Sequence, residues 1–359
     1  MDQRLFHNWL VGTRSQVGRR VSARAGWRIG TLHSAPDTST VIRRLVPFVG
    51  ACAIALIAHA AAPIPVMLLD GESGGRYHDW EHVTPVLKKM LDETGLFAVT
   101  VVTAPPAGGD FSAFAPAFTK YRAVVLNYDA PDERWPAAIK SSFEQFVKDG
   151  GGVVSVHAAD NAFPKWAAFN EMIGVGGWRD RTEQAGPYWY ERDGKVVSDP
   201  TPGRAGSHGR RVPFAVTVRD GNHPITKGLP RVWMHQGDEL YARLRGPGKN
   251  MTVLATAYSD PANAGSGHDE PQLMVLSFGK GRIFHTTWGH DITALSSTDF
   301  VATFQRGAEW AATGQVTQKV PSNFPTADSV SYRADLAAMD PDYKNGLDNL
   351  DLPAPGAKR

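Results

Sequence analysis

Only one of the 359 residues is a cysteine, Cys52. It sits in an apolar stretch near the amino terminus that reads as a removable leader. A chain with no second thiol forms no internal disulfide, builds no cysteine-ligated zinc site, and carries no sulfur nucleophile in its body. An excess of charge of one sign is also lacking: 38 Lys and Arg stand against 36 Asp and Glu, a formal net of +2. Eight of those bases (Arg4, Arg14, Arg19, Arg20, Arg24, Arg28, Arg43 and Arg44) and two of the acids (Asp2 and Asp37) fall in the first 62 residues. The remainder then holds 30 bases against 34 acids, a net of −4. Nucleic-acid binding needs clustered positive charge, so no nucleic-acid partner is expected. Internal repeats and low-complexity tracts are absent.

The only long apolar run is Val46 to Ala62, too short for a comfortable membrane span. A basic start at Arg43-Arg44, an apolar middle and small residues through Ala58-His59-Ala60 and Ala62 make a secretory signal, with an uncleaved anchor as the competing reading. Val41 followed by Ile42, Arg43 and Arg44 gives a normal signal start if the initiator lies there, and the arginine pair loosely fits a twin-arginine signal. The expected location is periplasmic or secreted, with no membrane contact once the signal is gone. We therefore expect a leader over residues 1–62, one α/β domain over 63–319, and an extended strap or loose tail, rich in Pro, Asp and Ala, over 320–359.

Within the domain, Pro65 to Asp70 reads as a buried strand and Trp80 to Thr94 as a helix with Val83, Val86, Leu87, Met90 and Leu91 on one face. Ala98 to Thr103 and Tyr121 to Tyr128 read as strands, Pro136 to Asp149 as a helix, and Val153 to His157 as a fourth strand. Strands alternating with helices imply a parallel sheet with right-handed crossovers. Beyond Trp166 come short segments rich in Gly, Pro and aromatics, expected as antiparallel insertions at the carboxyl edge. Strands return at 251–257, 272–278 and 282–287, and a helix closes the domain at Thr298–Thr313.

Ligands in open α/β sheets bind at the carboxyl ends of the strands. His157 ends the fourth strand at a sharp turn, where many such enzymes place a nucleophile. Imidazole suits proton transfer or metal ligation better than acyl chemistry. His78, in the loop after the first strand, is a second candidate, with Asp79 as helix cap; His82 lies one turn on, in a weak pairing that is not the HExxH pattern. Met234 to Tyr241 packs an imidazole, two carboxylates and a phenol together: Glu239 is a candidate base or metal ligand, Asp238 and Tyr241 candidates to bind sugar hydroxyls. His290, beside Asp291, is a candidate base or ligand, whereas His285 reads as a core group and His223 as part of a turn. Asp160 and Asn161 can add polar contacts. Trp166, Trp178, Tyr188, Trp189, Tyr190, Trp233, Tyr241 and Trp288 are candidates for stacking on sugar rings or for the core.

Tyr77-His78-Asp79, Val156-His157-Ala158-Ala159, Trp166 with Gly174 through Gly177, His223-Pro224-Ile225-Thr226, Asp238-Glu239-Leu240-Tyr241 and Gly279 to Phe284 together resemble the ThuA-like (trehalose utilisation) family, from about Pro65 to Thr313. The resemblance implies a flavodoxin-like, doubly wound, mainly parallel sheet of the class I glutamine amidotransferase type. In those amidotransferases a cysteine occupies the elbow that His157 fills here, so glutaminase activity is not expected. It also implies a link to sugars, particularly 3-keto sugars.

These readings combine into one expectation: a small-molecule carbohydrate as partner, and elimination or hydrolysis assisted by His157, Glu239 and His290. A divalent metal, zinc or manganese, is expected on His78, His157 and His290, with Asp160, Trp166, Asp238, Tyr241 and Trp288 contacting substrate. No nucleotide cofactor is expected. The alternative is a non-catalytic carbohydrate-binding module on the same fold.

Overall fold

In the computed structural model, which describes residues 62–74 and 78–340, five parallel strands form the centre of the fold. They are β1 (Ile64–Asp70), β2 (Phe97–Thr103), β3 (Ala123–Leu126), β4 (Gly152–Val156) and β13 (Gly281–Thr286), in the order β2-β1-β3-β4-β13. That is the flavodoxin-like strand order, whose ligand crevice opens where β1 and β3 send their chains in opposite directions. β3 and β4 consist almost wholly of buried small and β-branched residues, as strands covered on both faces require.

Helices cover both faces. α1 (Trp80–Asp92) is capped by Asp79 and buries Val83, Val86, Leu87, Met90 and Leu91. With α5 (Thr298–Thr313) it packs on one side of the sheet, into a core containing Leu68, Val125, Phe284, Phe300 and Phe304. α2 (Ala137–Lys148) packs on the other side with α3 (Ala167–Ile173), around Phe143, Trp135, Phe163 and Trp166. α5 lies so close to β4 that a side chain at Gly152 would strike the Ala311 carbonyl.

The antiparallel strands widen the main sheet sideways from β13. The order continues β12 (Asp269–Phe278), β11 (Thr252–Tyr258), β8 (Val212–Val218) and β9 (Val232–Asp238), and the hairpin β5 (Tyr188–Arg192) and β6 (Lys195–Asp199) joins at β12. Four successive antiparallel pairings return β9 to the direction of β13, so both strands end at the same edge. A separate two-stranded ribbon pairs β7 (Ser207–His208) with β10 (Tyr241–Ala242). The Gly279 to Phe284 motif proves to be a hairpin turn and its strand, with Gly279 at φ +59 in a two-residue connection.

The described residues belong to one unit, Ala60–Arg359. The part of the expected tail that is described packs on the domain: Phe324 meets Trp233 edge-on at 5.3 Å, and α6 (Ala334–Ala337), beyond the short α4 (Ile292–Leu295), buries Leu336. The signal segment with Cys52, Tyr77, and the tail after 340 lie outside the described residues. Among the described residues no helix is long and apolar enough to cross a membrane.

Candidate metal centre and its pocket

Four chain segments deliver side chains to one point at the carboxyl edge. His78 comes from the loop after β1, His157 from the turn after β4, Glu239 from the end of β9 and His290 from the loop after β13. A donor atom from each lies within 4.8 Å of the other three.

His157 leaves β4 with φ 45°, a left-handed conformation that costs an L-residue about 1–2 kcal/mol. Its surroundings hold it there. Nδ1 lies 2.6 Å from the Thr287 carbonyl, and the ring packs at 4.2 Å on Tyr241. A carbonyl only accepts, so Nδ1 carries the proton and Nε2 turns its lone pair toward the cluster, the arrangement typical of a metal-ligating histidine. Nε2 lies 3.2 Å from His78 Nε2 and 3.7 Å from Glu239 Oε2. His290 Nδ1 lies 3.1 Å from the same carboxylate oxygen, and His208 Nε2 3.4 Å from Oε1.

Burial, then His157 and His290, push the His78 imidazole down to about 3, so it is neutral at ordinary pH. Burial opposes a charge on His157 as well, but the Glu239 and Asp238 carboxylates outweigh it and raise that imidazole. Glu239 also pays for burial, yet its hydrogen bonds to His157 and His290 hold the carboxyl far below the usual range. Two facing imidazole nitrogens beside a carboxylate held in its ionised form mark a position where positive charge is stabilised.

Asp238 is 1% exposed. Its carboxylate accepts the backbone N–H groups of Glu239 at 2.7 Å, Gly289 at 2.6 Å and His290 at 3.2 Å, clipping two of the candidate ligand loops together. The expectation that Asp238 binds substrate is therefore corrected: its oxygens are committed to the backbone. Behind it His235 is wholly buried, with Nδ1 2.8 Å from Asp299 and Nε2 3.6 Å from Asp238, and it stacks on Trp288 at 4.6 Å.

Three further expectations need correction. Trp288 is fully buried, and its indole N–H donates to Gln272 at 3.0 Å. Trp166 lies in the aromatic core beside α2 and donates to Glu144 at 2.7 Å. Asp160 is sealed against His285 Nε2 at 3.3 Å, and His285 Nδ1 in turn meets the Ile173 carbonyl at 2.8 Å. In all three cases a polar atom that could have faced substrate has a partner within the protein instead. His82 points away from the cluster onto Asp79 at 2.6 Å. Trp233 is fully buried, and His223 accepts the Ile225 N–H at 3.3 Å within its turn.

Two members of the cluster, His78 and Glu239, line a cavity of about 370 Å³ together with Gly74, Asp129, Asn161, Trp178, Arg179, His208 and Tyr241, within the size range of small-molecule sites. His157 is buried behind His78 and Glu239. The phenol of Tyr241 lies 3.4 Å from His78 Nε2; burial keeps it well above its ordinary value, so it remains a neutral donor. Sequence reasoning missed Asp129, Arg179 and His208. Asp129 follows the end of β3, where the strand-end rule could have found it; His208 sits in a glycine-flanked segment without any pattern.

Strand order and site define a flavodoxin-like, mainly parallel α/β protein with an imidazole on the strained turn after β4. The chain belongs to the ThuA family, described as trehalose utilisation, whose profile matches residues 65–311. It is similar to the crystal structure of a ThuA-like protein from Parabacteroides merdae, with 46% identity and a TM-score of 0.73 over 77% of this chain and 99% of that one. A ThuA-like protein from Bacteroides uniformis is 19% identical, with a TM-score of 0.49 over 70% of this chain and 93% of that one. No curated protein matches. The family indicates a carbohydrate-related role.

Proposed function

We propose that the protein is an exported, periplasmic or secreted enzyme that holds one divalent cation, zinc or manganese, and acts on a 3-keto sugar or its glycoside by elimination or hydrolysis. One observation carries this reading: three imidazoles and a carboxylate brought within 4.8 Å of one another, with His78 and Glu239 of that set lining a pocket.

The donor set fits the group. Three nitrogens and one oxygen suit zinc, and a neutral imidazole is the ligating form. His78 is neutral because burial disfavours its charge, and its Nδ1 has no hydrogen-bond partner among the described residues. The Thr287 carbonyl fixes the tautomer and aim of His157, and Asp238 fixes the loops of Glu239 and His290. A carboxyl held so far toward its ionised form is a poor proton acceptor, and of the two roles expected from sequence, base or metal ligand, we assign Glu239 to holding the cation. A bound cation supplies Lewis-acid polarisation of a carbonyl or leaving oxygen. The phenol of Tyr241 donates toward a substrate oxygen beside the cluster, and the pocket walls limit water around it. A ketone acidifies the neighbouring C–H, which is why a 3-keto sugar suits a site built to stabilise developing negative charge.

The test is elemental analysis of protein purified without chelator, paired with incubation with 3-keto-trehalose and 3-keto-glucosides in added zinc or manganese. Near-stoichiometric metal, lost in His78→Ala and Glu239→Gln, with product formed, supports the proposal. Absence of both metal and product overturns it. Tight binding of an unmodified sugar that survives His157→Ala without turnover would instead favour a binding module.

A further inference from the structure

The pocket has a second wall, across from the histidines. Trp178, Arg179 and Asp180 are three consecutive residues with left-handed backbones, at φ 50°, 45° and 61°. Strain of this kind persists only where surrounding structure dictates it, and it collects at ligand sites. Arg181 supplies the constraint: its buried guanidinium donates to the carbonyls of Asn161, Ala162 and Gly177, tying this run to the turn that carries His157. On the outer side, Gly206 lets the chain lie flat on the Trp178 indole, where a Cβ would fall 2.7 Å from two ring carbons.

The outcome is a set of polar groups with an aromatic face. The Trp178 ring stands 4.5 Å from Tyr241 and 6.3 Å from His208. Arg179 Nε donates to Asp129 Oδ1 at 2.7 Å, using one of five guanidinium donors. Asn161 is 5% exposed, lines the cavity, and its Oδ1 has no hydrogen-bond partner among the described residues. A buried acceptor left open in a pocket wall is costly unless a ligand satisfies it.

We propose that Asp129, Asn161, Trp178 and Arg179 form the sugar-recognition wall of the site: the indole stacks on the C–H face of a pyranose, the Asp129–Arg179 pair binds neighbouring hydroxyls, and Asn161 Oδ1 accepts one more. Stacking and charge-assisted hydrogen bonds are the interactions that hold an uncharged polyol. None of the four belongs to the metal cluster, so recognition and cation binding separate by mutation. The inference rests on the carbohydrate reading above.

Calorimetric titration of metal-loaded protein with methyl 3-keto-α-glucopyranoside and methyl α-glucopyranoside tests it, with metal content and thermal unfolding measured on each variant. Asp129→Asn and Trp178→Ala weaken binding tenfold or more while bound metal stays unchanged, and Trp178→Phe restores at least half of the lost affinity in logarithmic terms. If Asp129→Asn does not fold, the Trp178 pair decides. Affinities of both Trp178 variants within twofold of the parent overturn this wall but leave the sugar-acting reading standing. A parent protein that holds metal yet binds neither probe overturns both.

Discussion

His235 provides a sharp test of how the metal-ligand loops are braced. Its ring is wholly buried between Asp299 and Asp238, against Trp288 and Phe214. Burial alone would lower it, but the two carboxylates raise the imidazole to about 9. An unfolded histidine titrates near ~6.5. Because the folded value is the higher, the imidazolium contributes stability that is complete below the unfolded value and is lost as pH rises through the folded one. The gap of about 2.5 units between the two corresponds to about 3 kcal/mol. Urea unfolding at pH 6, 8 and 10 measures it. Unfolding free energy of the parent should fall by about 3 kcal/mol more across that range than that of His235→Gln, whose neutral amide cannot titrate. The variant is itself less stable at pH 6, because it leaves Asp299 and Asp238 buried without their cation. Parallel pH profiles in the two proteins would refute a buried imidazolium and, with it, the electrostatic bracing of Asp238.

Other outcomes follow from the same geometry. Trp288→Ala should destabilise by about 3–5 kcal/mol, since it empties a sealed core site, while the metal content of the folded fraction is unchanged; calorimetry with elemental analysis checks both parts. Asp238→Asn keeps the shape but loses the charge that accepts three backbone N–H groups. It should weaken metal retention against a competing chelator tenfold or more, as removal of a ligand's supporting group commonly does. Gly206→Ala forces the Trp178 ring to move and should weaken sugar binding without loss of metal, read by the same titration.

The parallel half of the fold was legible because its signals are local. Pro65 to Asp70, Ala98 to Thr103 and Val153 to Val156 are apolar runs bounded by glycine or by helix caps, and Thr298–Thr313 closes where Gly314 takes φ +80. The expected flavodoxin-like sheet is what the chain forms. Less visible was the lateral course of β12, β11, β8 and β9, because an antiparallel strand buried on one sheet reads like any hairpin until its partner is known. At the site, strand-end logic placed His78, His157, Glu239 and His290 at one edge, and the structure brings them together. It failed for Asp160, Asp238, Trp166 and Trp288 for a single physical reason: whether a polar or amphipathic side chain faces a pocket depends on whether a partner elsewhere in the fold has claimed it. Asp160 has His285, Asp238 has three backbone amides, and Trp288 has Gln272. Those partners lie between 1 and 125 residues away, and no spacing rule reports them. The reverse holds for Asn161, whose Oδ1 has no hydrogen-bond partner among the described residues. Partner accounting separates the carboxylates that brace this site from the groups that meet its ligand.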